Sequence, residues 1–251
     1  MVEDLAEAFE RLDNCTADLR SLELTMREYL QKNFDIAADK VEDEAIIRVR
    51  LLSPVPVGIR TKVGGIANEA RSILDHLAVV LAARNGYPES RSTYFPISET
   101  ESNFRKDGRS KIKLLSDHDQ GLIADLQPIG QKTPLLFGFH EFDIMRKHRR
   151  LAVHPGGVDG YGISSPDGGP ISIDYILPIF PQVTEIGLDW VPVSRIKARS
   201  KISLSPNPTL VFADPPHLKG KPVDLALASL IREVRKIVEL FDFRVLESVR
   251  I

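Results

Sequence analysis

Two groups of residues in this 251-residue chain have the types and the spacing to do proton or phosphate chemistry. The first is Arg71-Ser72-Ile73-Leu74-Asp75-His76. An imidazole gives and takes protons near neutral pH. A guanidinium grips a phosphate through two parallel N–H groups and stays charged while doing so. Together, Arg71 and His76 could activate the 2′-hydroxyl of RNA and stabilise the phosphorane that follows, without a metal. If no proton moved, the same pair would only hold a phosphate. The second group is Arg146-Lys147-His148-Arg149-Arg150, on the last turns of a helical pattern that starts at Pro134. On that pattern His140, Asp143 and Lys147 share a side with Leu136, Ile144 and Leu151, and a polar trio in apolar surroundings points to a buried network or a cleft.

Both groups have a plainer reading. Arg71 and Asp75 stand four residues apart on a helix, where an exposed ion pair contributes only about 0.3–0.5 kcal/mol. His76 is then a boundary histidine. The basic run sits where cations favour the negative end of a helix dipole. Other chemistries lack their residues. His140-Glu141 opens like a zinc-protease helix, but Ile144 stands where the second histidine would be. Gly64-Gly65 lacks the further glycines and the lysine of a phosphate loop. There is no Gly-x-Ser-x-Gly turn, and no cofactor or metal is implied.

The elements that must position these residues follow from periodicity. Gly64 to Arg84 is an amphipathic helix, with Ile66, Ala70, Ile73, Leu74, Leu77 and Leu81 on one stripe. Arg71 and Asp75 fall on one flank of it, Glu69, Ser72 and His76 on the other. Asn85-Gly86 ends it. Val2 to Lys32 repeats Leu5, Phe9, Leu12, Cys15, Leu19, Leu22, Met26 and Leu30 at spacings of three and four, a helix facing a bundle. Asn33 to Glu44 breaks the period, and Ala45 to Leu52 reads as a strand ended by Pro54 and Pro56. Thr93 to Ile97 reads as a short edge strand or an extended segment, and Thr100 to Lys113 as a charged loop. Ser116 to Leu126 is a short capped helix, and Pro134 to Val153 a longer one. From Gly156 the runs Ile171–Ile179, Val183–Leu188, Ile196–Leu204 and Leu210–Phe212 are strand-like. Pro222 to Val249 returns to helix. Strands segregated from helices predict an α+β fold: a helical bundle of about four main helices with a β-rich block between roughly 156 and 212. It reads as one domain, residues 1–251, with a helical core over 1–155 and 221–251.

Composition narrows the setting. A net charge of −2 gives no global pull toward nucleic acid, so any polyanion site must be local. The single cysteine excludes an internal disulfide and fits a reducing cytoplasm. The start, MVEDLAEAFERL, lacks the pattern of a secretory signal. No apolar run approaches the ~20 residues that span a bilayer.

Arg71 and His76, separated by four residues on a helix, resemble the Arg-x(4–6)-His motif of the HEPN superfamily. Its members are helical bundles, many of them metal-independent ribonucleases, others RNA-binding or dimerisation modules. RSILDHLA, YFPI, LQPI and HEF…KHRRL, across roughly Ala45 to Val153, resemble a broad family of bacterial proteins that brings no activity with it. Asn68-Glu69-Ala70 and Ile144-Met145-Arg146 depart from that family's His-Asn-Leu and Asn-Ile-Asp; Arg71, Asp75, His76, Lys147, His148 and Arg149 are kept. The resemblance to HEPN implies Arg71 and His76 as catalytic residues, with Asp75, His140, Asp143, Lys147, His148 and Arg149 binding the substrate. RNA is the partner this implies, and a homo-oligomer is expected. The alternative is a non-catalytic structural or dimerisation protein whose polar residues form a buried network.

Overall fold

The computed structural model describes residues 5–41, 44–88, 92–148, 153–164, 173–178, 191–198 and 203–242. Four long helices dominate it: α1 (Ala6–Asn33), α2 (Val57–Arg84), α6 (Pro134–His148) and α7 (Val223–Leu240). Between α2 and α6 lie α3 (Glu101–Asn103), a π-helical turn (Phe104–Gly108), α4 (Arg109–Lys111) and α5 (Asp117–Asp125).

Helix α2 is the centre of the bundle, and it starts seven residues before the expected Gly64. Pro56 caps it, in the conformation a proline presets for a helix start. Glycine inside a helix costs about 1 kcal/mol relative to alanine. Ile59, Val63, Ile66 and Ala67, all buried, more than offset that through the apolar surface they remove from water. Further along, Ala70, Ile73, Leu74, Leu77, Ala78 and Leu81 are fully buried, so α2 is covered over a wide arc rather than a narrow stripe.

Helix α1 runs antiparallel to α2. Arg11 Nε donates to Glu69 Oε1 at 2.6 Å, and Lys62 Nζ donates to Ser21 Oγ at 3.3 Å. The expected stripe of α1 is buried from Leu5 through Leu12, Cys15, Leu19, Leu22 and Met26 to Leu30. Helix α7 closes the other side. Arg235 pairs with Asp13 and lies over the Phe9 ring, 5.9 Å from its centroid. Arg84 Nη1 donates to Phe241 O at 2.8 Å, fastening the end of α2 to the end of α7.

Two local expectations need correction. Residues 33–44 are not merely an interruption: β1 (Phe34–Val41) pairs antiparallel with β2 (Glu44–Leu51). Within the expected loop 100–113, residues 101–111 are helical. The Thr100 side chain accepts from Asn103 N–H, a helix N-cap. Phe104, Gly108 and Ile112, each four apart, are buried along one side. A Cβ on Gly108 would lie 2.9 Å from Phe104 Cδ2, so only glycine lets the π turn close over that ring.

Between α6 and α7 lie four described strands: β3 (Val153–Ser164), β4 (Ile173–Pro178), β5 (Val191–Ala198) and β6 (Ser203–Phe212). The strand order is β1-β2-β5-β4 in one sheet, and β3 pairs with β6 in another. The early hairpin thus shares a sheet with later strands, which no local pattern foretold. The expected run Val183–Leu188 lies outside the described residues. At the bundle edge Phe212, on β6, meets Phe139 and Phe142 of α6 edge-on, with centroids 5.5 and 5.2 Å away. Among the described residues no helix is long and apolar enough to cross a membrane.

Candidate functional site

The best-formed polar arrangement lies on one flank of α2, where Arg71 and Asp75 are one turn apart. The extended segment Thr93–Ile97 runs alongside them. Phe95 donates its backbone N–H to Asp75 Oδ1 at 3.0 Å. Arg71 Nη2 donates to Phe95 O at 2.9 Å, and Arg71 Nη1 meets Asp75 Oδ1 at 2.6 Å. The three contacts form a closed ring.

The ring answers a need of the backbone. The Phe95 side chain is fully buried, and a chain that enters a core without a neighbouring strand must still pair its N–H and C=O. Nearby residues find backbone partners: Tyr94 N–H on Lys111 O, Ser98 N–H on Pro128 O, and Gly130 N–H on Ser98 O. At Phe95 a helix side-chain pair takes the place of a strand. The two side chains keep only 14% and 31% of their surface exposed, so this is not the free surface pair that spacing alone suggests.

His76 lies five residues beyond Arg71, about 140° further round the helix. Its Nε2 is shielded from solvent and has no hydrogen-bond partner among the described residues. No hydrogen bond joins it to Arg71 there. The two residues singled out for a shared phosphate therefore occupy different flanks, one of them already engaged.

The second group is divided. Asp143 is buried and His140 half-buried, its ring 6.4 Å from that of Phe137. Ile144 is 48% exposed, so it does not belong to the buried side on which it was expected. The helix instead buries Leu136, Phe137, Phe139 and Phe142, because the aromatic contacts with Phe212 set its rotation. Lys147 and His148 close α6 in backbone terms. Their side chains, and Arg149 altogether, lie outside the described residues.

Sequence reasoning missed His217, in the turn before α7. Its Nδ1 lies 3.0 Å from Glu141 Oε2, and its ring stands edge-on to Phe137 at 5.2 Å. A Cβ on Gly138 would lie 3.0 Å from both His217 Cβ and Leu218 Cγ, so this glycine lets the turn seat on α6. No local signal links residues 76 positions apart. Cys15 is buried, and desolvation, reinforced by Glu69 and Asp18, pushes its thiol up to about 12. It stays protonated and is no nucleophile. Among the described residues no group of three or more His, Cys, Asp or Glu is placed to hold a metal ion.

Compared with protein family models, curated proteins and solved structures, the chain shows no significant match to any of them.

Proposed function

We propose that this chain is a non-catalytic binding or assembly module on an α+β frame, in which Arg71 and Asp75 are a structural clamp. The observation that carries this reading is the occupancy of the guanidinium. Nη1 is held by Asp75 and Nη2 by the Phe95 carbonyl. A phosphate gripping Arg71 through Nη1 and Nη2 would compete with both acceptors, and loss of the Phe95 C=O contact costs roughly 1–3 kcal/mol.

One observation favours the second reading, a metal-independent ribonuclease of HEPN type: Nε2 of His76 is claimed by no other group among the described residues. The two separate in a single experiment. Wild-type protein and His76→Ala, both verified as folded, are incubated with labelled single-stranded RNA and with EDTA across a range of protein concentrations. The clamp reading expects no cleavage by either. Cleavage by wild type that disappears in His76→Ala would establish the nuclease and overturn the proposal.

A further inference from the structure

Phe95 also borders a groove of about 220 Å³ in the bundle. Phe95, Leu126, Pro128, Leu136, Ile237 and Leu240 give it apolar walls. Thr133, Glu233 and Lys236 supply the polar groups. Pockets for small molecules combine these features: apolar walls and few polar groups that fix orientation.

The two charges at the groove are not equivalent. Lys236 is exposed and keeps its hydration, as lysines at a rim do. Glu233 is half-buried and has no hydrogen bond or ion pair within contact distance among the described residues. Loss of water pushes its carboxyl above the usual range, while Lys236 pulls weakly the other way. A carboxylate stripped of water gains most from a new cationic donor. The groove therefore discriminates by charge: an ammonium is stabilised at Glu233, whereas a ligand carboxylate is repelled there.

We propose that this groove binds a small apolar amine, its hydrocarbon body against Leu126 and Leu240 and its ammonium on Glu233. Size follows from volume. A dry apolar cavity of about 150 Å³ holds benzene, so this groove suits a body of roughly nine heavy atoms. The inference rests on the binding-module reading, because the Arg71–Asp75 clamp fixes the wall that Phe95 provides.

The test is calorimetric titration of the full chain with 2-phenylethylamine and with its neutral isostere 2-phenylethanol. The amine should bind at least about tenfold more tightly than the alcohol. Glu233→Gln should remove that advantage and leave alcohol binding unchanged. Leu240→Trp, which obstructs the groove from a solvent-exposed position, should abolish binding of both without loss of folding. Equal affinity for amine and alcohol in wild type, an amine affinity indifferent to Glu233→Gln, or no binding up to about 10 mM would each overturn the proposal. None of these outcomes touches RNA cleavage or the melting temperature of an Arg71 variant, so the clamp stands or falls separately.

Discussion

Arg71→Ala is the perturbation whose consequence can be worked furthest. The substitution removes the 2.9 Å hydrogen bond to Phe95 O and the 2.6 Å contact with Asp75 together. A hydrogen bond to a charged group contributes about 1.5–3 kcal/mol, and leaving the partner buried and unpaired costs on the same scale. The ion pair adds little beyond this, because Asp75 keeps nearly a third of its side-chain surface and water can replace the lost charge. The expected loss is therefore roughly 2–3 kcal/mol. For a chain of this size that lowers Tm by about 4–12 °C, which a thermal melt followed by circular dichroism resolves easily. Arg71→Lys should recover only part of the loss, since an ammonium cannot fork between a carboxylate and a carbonyl. Combining Arg71→Ala with Asp75→Ala should cost less than the sum of the two alone, because they share one partner in Phe95. A melt shifted by under about 1 °C in Arg71→Ala would refute the clamp.

Other perturbations follow from the same structure. Glu233→Gln should raise Tm at neutral pH. The folded-state pKa of Glu233 is raised, so its contribution favours the fold while it is protonated and is lost as pH rises through that pKa; the gap between variant and wild type should close below about pH 4. His76→Phe should leave Tm unchanged or higher, because an apolar ring replaces a shielded nitrogen that has no partner among the described residues; a fall of several degrees would show that the imidazole makes a stabilising contact. Cys15 should resist a thiol reagent such as DTNB in native protein and react stoichiometrically once urea unfolds it. Leu77→Ala, at the fully buried middle of α2, should cost about 2–5 kcal/mol in urea melts.

The residues legible in advance were those whose role depends on near neighbours in the chain. Leu12, Leu19, Ile73 and Leu77 announced the faces of α1 and α2, because burial of one helix side repeats every three to four positions. Ser116 announced the start of α5 as its cap. The pairing of Arg71 with Asp75 was visible too, since residues four apart on a helix meet whatever else the chain does. What that pair is for was not. Its partner is the main chain of Phe95, and every residue type carries the same N–H and C=O, so nothing in the letters marks the one that needs help. The helical turns at 101–111 were hidden for a related reason: a buried row made of one phenylalanine, one glycine and one isoleucine carries too little apolar weight to stand out. The strand order that joins the early hairpin to β5, the seat of His217 on Glu141 and the exposure of Ile144 likewise depend on contacts between distant segments. Sequence alone thus determined the long helices and the inward side of α1 and α2, because those are properties of a local repeat. Which polar groups are engaged, and by whom, was decided only when packing brought distant backbone and side chains within hydrogen-bond reach.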